Sequence, residues 1–169
     1  MEYFQKFRGE KGALPPKASW QDIGLAWLGG FSAIAIIGYL SVSIQTPLIL
    51  GSFGASCVLL FGFPRSPFSQ PRNVIFGHFI STLIGLLFYH YLGNEWWSMA
   101  LALATAIAVM IASRTVHPPA GSNPIIVFLS GASWNFLITP TLIGSIALVV
   151  IALFYLNLKK ETIYPLYWI

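Results

Sequence analysis

The sequence predicts an all-α polytopic membrane protein with about six spans, arranged as two inverted repeats of three helices. Three observations support this: an apolar composition, the lengths of the apolar runs, and the positions of the basic residues. Of the 169 residues, 56% are hydrophobic and 8% are charged, and the mean hydropathy is +0.74. Soluble domains carry about 25% charged residues. A water-soluble fold is therefore excluded, and the length fits one domain.

The apolar runs indicate where the chain crosses the membrane. Three of them reach the roughly 20 residues that a spanning helix needs. They lie at about 23–43, 73–92 and 137–157. A fourth run, 96–112, is shorter but is flanked by Trp96 and Trp97, which suit a membrane interface. Two more segments, 47–62 and 117–131, are interrupted by small residues or by prolines. These two, the second and the fifth in order, are predicted to be broken or short.

The basic residues favour six crossings. With the N-terminus in the cytoplasm, six crossings place loop 63–72, loop 113–117 and the C-terminal tail on the cytoplasmic side. The opposite loops then contain no Lys or Arg, in agreement with the positive-inside rule. If the interrupted segments were re-entrant, Arg65 and Arg72 would lie outside.

The same topology gives three predicted domains, which are a cytoplasmic N-terminal segment (1–21), a transmembrane domain (22–158) and a cytoplasmic C-terminal tail (159–169). Because the basic residues flank the spans, the net charge of +4 does not indicate a nucleic-acid partner.

The two halves resemble each other at an offset near 67 residues. The matched pairs are Gly54 with Gly121, Pro71 with Pro140, and Gly77 with Gly144. Because each half has three spans, an odd number, the second half must enter the membrane from the opposite side. Transporters are often built from such inverted repeats, with the binding site at matching broken helices.

The stretch "RTVHPPAGSNPI" (114–125) contains the polar residues of the fifth segment. Pro118 and Pro119 lack backbone donors, and Gly121 permits a close backbone approach. Ser122 and Asn123 are good N-cap residues for a helix that begins there. Unwound backbone at this depth is tolerated mainly where it lines a cavity.

The second segment offers Ser52, Gly54 and Ser56 at a similar depth. Two helix starts that face each other would form a small, neutral-to-positive, hydrogen-bonding cavity, which suits a small anion. Close helix packing is the alternative explanation for these small residues.

Charged and ionisable residues add further candidates. Arg114 and His117 flank the fifth segment, and His78 lies inside the third span, where ionisable groups often have functions. Arg65 and Arg72 are candidates for the anion entrance. The alternatives are that the arginines only set topology and that the histidines are structural.

Catalytic chemistry is not expected. The five acidic residues are near termini or in loops, at Glu2, Glu10, Asp22, Glu95 and Glu161. They form no carboxylate pair within a span, and no Cys/His cluster suggests a metal site or a cofactor. Cys57 is the single cysteine, so an intrachain disulfide is impossible.

The stretches "SFGASCVLLFG", "SPFSQPRNVIFGHFIS" and "HPPAGSNPI", in this order, resemble the HPP family of integral membrane proteins. The similarity covers about residues 20–157, and the triplet that names the family corresponds to His117, Pro118 and Pro119. This chain has Ser122 and Asn123 where many members have Ala or Thr.

The resemblance implies a membrane transporter of nitrite, as in cyanobacterial and chloroplast members, in a bacterial or cyanobacterial plasma membrane. Its expected partners are nitrite, the lipid bilayer and further copies of the chain in a homo-oligomer. Another small anion (nitrate, formate or chloride) and a non-transporting membrane scaffold remain the alternatives.

Overall fold

The structure, a computed structural model, describes residues 2–5, 7, 12–159 and 162–169. Within these residues every regular element is helical, which confirms the predicted all-α class. The α-helices are α1 (Glu2–Gln5), α2 (Trp20–Ser43), α3 (Ser52–Cys57), α4 (Pro71–Leu92), α5 (Trp96–Ala112), α6 (Asn123–Ser130) and α7 (Ile143–Leu156). Some charged residues of the N-terminal segment and the C-terminal tail lie outside the described residues, namely Lys6, Arg8, Glu10, Lys11, Lys160 and Glu161.

Three helices are long enough and apolar enough to cross a membrane. They are Trp20–Ser43, Pro71–Leu92 and Trp134–Leu156. The last of these consists of a 3₁₀ turn, a π turn at Ile138–Leu142 that contains Pro140, and α7. All three coincide with the predicted long runs. The shorter α5 coincides with the predicted run 96–112.

Capping residues and prolines determine where the long helices begin. Ser19 precedes α2, and its hydroxyl accepts a hydrogen bond from the Asp22 backbone N–H at 3.1 Å. Pro71 is the first residue of α4, where its missing N–H is not needed. The same helix ends at Leu92, and the next residue, Gly93, has a φ of +86°, which favours glycine.

The second and fifth segments are each an irregular stretch followed by a short helix. Residues 47–50 have no regular secondary structure, and the helix that follows, Ser52–Gly62, has an α part of 6 residues and a π turn of 5. At 1.5 Å per residue it is roughly 16 Å long, about half of a bilayer core of roughly 30 Å. In the fifth segment, the irregular residues 115–117 lead into a 3₁₀ turn (Pro118–Ser122) and then α6.

The predicted capping by Ser122 is wrong. Ser122 does precede α6, but its hydroxyl donates to the Pro119 carbonyl at 2.8 Å rather than accepting from the helix. The reason is that a 3₁₀ turn already orders the backbone in front of α6.

Helix α4 lies between the two hydrophobic clusters of the described residues. One cluster joins α2, α3, α4 and α7 around Ile37, Phe53 and Leu148. The other joins α4, α5 and α6 around Leu86, Ala106 and Val127. Because α4 contributes to both, its side chains can contact both broken segments.

The basic loops gather at one end of the bundle. Lys159, after α7, forms an ion pair with Asp22 of α2 at 3.5 Å. The tail returns to the loop before α4, since the Tyr164 hydroxyl donates to the Ser69 carbonyl at 2.8 Å. The residues that follow α5 join the same end, where an Arg72 guanidinium N–H donates to the Ser113 carbonyl at 3.0 Å.

Candidate functional site

A polar cluster lies where the two broken segments meet. Its members are Ser56 of α3, His78 and Thr82 of α4, His117 of the irregular stretch 115–117, and Asn123 at the start of α6. Each of these five side chains is 0% exposed. Sequence analysis named four of them, and the structure brings those four together. We call the five residues the polar network.

Ser56 is at the centre of the polar network. Its Oγ lies 2.9 Å from Nε2 of His78 and 2.8 Å from Nε2 of His117. The two imidazole rings are 4.9 Å apart, centroid to centroid. One hydroxyl therefore connects two histidines that are 39 residues apart in the chain.

The outer partners of the two rings determine where their protons lie. His117 Nδ1 is 2.7 Å from the Phe68 carbonyl oxygen, which can only accept, so this nitrogen carries a proton. The Asn123 amide nitrogen, 3.0 Å from His78 Nδ1, can only donate, so the proton of His78 is on Nε2. With one proton on each ring, His78 donates to Ser56 and Ser56 donates to His117.

The network continues toward α7 through two threonines that the sequence analysis missed. The Asn123 amide donates to Thr82 Oγ1 at 2.8 Å, and Thr82 is 3.3 Å from Thr141 Oγ1. Thr82 follows His78 by one helical turn, and this spacing places both on one face of α4. That spacing could have identified Thr82. Nothing in the sequence pairs it with Thr141.

Side chains of α4 also donate hydrogen bonds to backbone carbonyl groups of the fifth segment. The Asn73 amide donates to the Val116 carbonyl at 2.9 Å, and the Ser81 hydroxyl donates to the Ala120 carbonyl at 2.6 Å. Gly77 lies between Asn73 and Ser81 on α4, and an added Cβ there would lie 2.7 Å from the Cβ of His117. This close approach positions His117 against α4.

Two buried polar atoms at the site have no hydrogen-bond partner. They are Ser52 Oγ, in the first residue of α3, and Asn123 Oδ1, in the first residue of α6. Ser52 is 4% exposed and Asn123 is 0% exposed. Since unpaired buried polar groups are costly, these two atoms are candidate contacts for a solute.

Several other predicted site residues lie outside the polar network. Gly54 is on the exposed face of α3, and Pro118 is also exposed. Pro119 is buried, whereas Gly121 and Ser122 are half-buried. An added Cβ at Gly54 or Gly121 would meet no atom within 4 Å.

The predicted arginines are at the basic end of the bundle and not at the polar network. Arg65 and Arg114 are exposed. Half-buried Arg72 is bound to the Ser113 carbonyl, as described above. Among the described residues no Lys, Arg, Asp or Glu is buried, and no three His, Cys, Asp or Glu side chains come together as a metal site.

Two cavities of the described residues lie away from the polar network. One, of about 660 Å³, is an apolar groove between the start of α2 and the end of α7, with Asp22 and Lys159 at its rim. The other, of about 230 Å³, is beside Glu95 and Trp96 at the opposite end. The side chains of the polar network are fully buried and bond mainly to one another.

This fold and site define a helical integral membrane protein with two broken segments that meet at a buried polar network. Residues 15–165 match the family model described as "HPP, transmembrane region", and the chain belongs to this family.

Two proteins of Dictyostelium discoideum, each described as a transmembrane protein, are similar to nearly the whole chain. One is 34% identical over 181 residues and the other 33% over 180, and each alignment covers 99% of this chain. The chain spans 64% and 58% of the length of these two relatives. No solved structure matches the chain.

Proposed function

We propose that the protein transports a small inorganic anion, nitrite first of all, across a membrane at the polar network. The observation that carries this proposal is the meeting of two broken segments at a buried set of Ser, His and Asn side chains. Short or broken helices at matching positions are typical of transporter binding sites. Ionisable side chains within spanning segments are rare and are usually functional. Both features occur here at one point.

An inverted repeat with six crossings is part of the proposal, and two glycine contacts support it. An added Cβ at Gly77 would lie 3.0 Å from the Thr115 carbonyl oxygen, and one at Gly144 would meet the Leu48 carbonyl oxygen. Gly77 and Gly144 are 67 positions apart, as are Leu48 and Thr115. In each half, the third helix thus contacts the irregular stretch of the other half at an equivalent position.

The basic end of the bundle is proposed to face the cytoplasm. Arg65, Arg72, Arg114 and Lys159 are all at this end, where the positive-inside rule expects basic residues. Exposed Arg65 and Arg114 can raise the local concentration of an anion near the fifth segment. Because the side chains of the polar network are fully buried, transport requires α3 and α6 to move apart. The described arrangement then represents a closed state.

Purified protein in liposomes tests the proposal. Nitrite uptake is compared with protein-free liposomes, and nitrate, formate and chloride are measured in parallel. Ser56→Ala, which removes the central hydroxyl, is expected to lose the uptake. Ser145→Ala is the matched control, since Ser145 is equally buried in α7 but bonds to the Leu142 carbonyl of its own segment. Uptake equal to that of protein-free liposomes for every anion would contradict the proposal.

A second function, a non-transporting membrane scaffold, is favoured by one observation. The side chains of the polar network bond mainly to each other, which is also what a structural network requires. A scaffold predicts no flux of any anion and a large loss of stability in Ser56→Ala. Transport predicts flux in the parent protein as well.

A further inference from the structure

We propose that the unit crossing the polar network carries no net charge, because each anion crosses together with one proton. The substrates would then be anions of weak acids, such as nitrite and formate, and not nitrate or chloride. This inference rests on the proposed transport function and specifies its substrate class.

The site lacks a charged side chain that would balance an anion. Among the described residues, no Lys, Arg, Asp or Glu side chain is buried. The guanidinium of Arg72 is bound to the Ser113 carbonyl, and Arg114 is exposed. An isolated ion in a low-dielectric interior loses several kcal/mol of hydration that nothing here would return. A neutral unit avoids most of this loss.

The hydrogen-bonding groups left free at the site also favour a protonated acid over its anion. The N–H of His117 donates to Phe68, and the N–H of His78 donates to Ser56. Asn123 donates to His78 and Thr82 and keeps a free acceptor, its Oδ1. An anion offers only acceptors and would be repelled by this oxygen. An acid with its proton offers an O–H donor.

Ser52 is the second residue at the site with an unpartnered hydrogen-bonding group. Its unpartnered hydroxyl can donate to an acid oxygen or accept an O–H. Together Ser52 and Asn123 provide one free donor and acceptors, which match the one O–H and the lone pairs of a protonated oxyacid. They provide too few donors for a bare anion.

The polar network can also hold the extra proton. The Ser56 hydroxyl is 2.8 Å from His117 Nε2 but also 3.2 Å from the Ser52 carbonyl oxygen. If His117 gains a proton on Nε2, this N–H can donate to Ser56 Oγ while Ser56 donates to Ser52. Ser56 then accepts from both rings, and every donor still has an acceptor. The network therefore accommodates two protonation states without an unpaired donor.

Other titratable groups near the network do not compete for this proton. Helices α5 and α6 and the turn Pro118–Ser122 contain none. On α3, Cys57 belongs to the apolar cluster. On α7, the hydroxyl of Tyr155 donates to the Leu25 carbonyl, away from the site. Among the described residues, the two imidazoles are the titratable groups of the network that can take up the proton.

The proton balance is simple. One anion and one proton leave one aqueous phase, and both are released into the other. Only O–H and N–H bonds form and break, and each imidazole ends with one proton. No net charge crosses the membrane.

The experiment uses the full chain in liposomes that contain a pH indicator, at a mildly alkaline pH where the free acid is scarce. Protein-free liposomes give the background, and a potassium gradient with valinomycin sets the membrane potential. Nitrite and formate gradients are expected to acidify the lumen above background, at a rate that the potential does not change. Nitrate and chloride are expected to remain at background. His117→Gln should lose the acidification, whereas Ser145→Ala should retain it.

Two results would overturn the inference while leaving the proposed function intact. One is nitrite flux that responds to the potential, by up to roughly fifty-fold per 100 mV for one full charge. The other is nitrate flux as fast as nitrite flux. The absence of flux for every anion would instead refute the proposed function itself. The voltage test needs no variant, so a His117→Gln protein that fails to fold does not affect it.

Discussion

Replacing Ser56 by Ala tests the polar network most directly. The change removes one hydroxyl that bonds to two imidazoles, and it adds no volume. His78 Nε2–H would lose its acceptor and His117 Nε2 would lose its donor. Both ring nitrogens would remain buried, because each side chain is 0% exposed.

The expected loss of stability follows from these two orphaned groups. Leaving a buried donor or acceptor unsatisfied costs about 1–3 kcal/mol. Two such groups give a loss of about 2–6 kcal/mol in the free energy of unfolding. Interhelical hydrogen bonds in membranes average about 0.6 kcal/mol when measured by double-mutant cycles, so the lower end of the range is the safer expectation. Ser145→Ala removes one bond within its own segment, worth about 1 kcal/mol or less.

The assay is reversible unfolding of the purified protein in mixed detergent micelles, comparing parent, Ser56→Ala and Ser145→Ala. A cycle with His117→Phe separates the Ser56–His117 coupling from the rest, since the phenyl ring keeps the volume but not the nitrogens. The expected coupling is about 1 kcal/mol or more. If Ser56→Ala and Ser145→Ala unfold with the same free energy, Ser56 does not hold the two histidines and the account of the site is wrong.

Three further predictions use other parts of the chain. Gly77→Ala should lower the free energy of unfolding by about 1–3 kcal/mol, because the added Cβ would lie 2.7 Å from the Cβ of His117. Gly121→Ala has open space and should change it by less than about 0.5 kcal/mol. Equal losses in the two variants would contradict this. Burial raises the pKa of the Tyr164 hydroxyl, so its contribution to stability is complete below about pH 10 and declines as the pH rises through the raised pKa. A titration of phenolate absorbance should show one late tyrosine that is missing in Tyr164→Phe, and identical titrations would refute it. Cys57 is 8% exposed, so a maleimide should label it much faster after unfolding than before, and equally fast labelling would contradict its burial.

The sequence was sufficient to predict the helices. Apolar length alone located α2, α4 and α7, because a bilayer requires about the same run of apolar residues from any spanning helix. Proline and glycine positions located the two interruptions, since these residues disrupt helical hydrogen bonding whatever surrounds them.

The sequence could not predict how the polar residues pair. Ser56 and His117 are 61 positions apart, and their contact depends on how closely α3 and the fifth segment approach α4. Gly54 and Ser56 are two positions apart, yet the first is exposed and the second is buried. In a segment with no charged face, the sequence does not show which side of the helix faces inward.

Hydrogen bonds from α4 stabilise the fifth segment. Two carbonyl groups along this segment, those of Val116 and Ala120, accept hydrogen bonds from Asn73 and Ser81 of α4. Inside a membrane such carbonyls have no water, so a break is stable only where a neighbour supplies donors. The break in the fifth segment is therefore compensated by the polar face of α4.

The second segment is held differently. The Leu48 carbonyl and the ring of Phe53 lie close against Gly144 of α7. The hydrogen bonds of this stretch come from α2 instead, where the Ser41 hydroxyl donates to the Thr46 carbonyl at 2.8 Å and accepts from the Leu48 N–H at 3.2 Å. If the halves are repeats, one has kept a donor-rich third helix and the other an apolar one. Motion between them would then be easier on the α7 side, where fewer hydrogen bonds must break. Opening of the polar network is accordingly expected to begin with α3 moving away from α4, leaving His117 with the fifth segment. Distance measurements between spin labels on α3 and α4, and between labels on α6 and α4, would test this order, and a larger change in the α4–α6 distance would refute it.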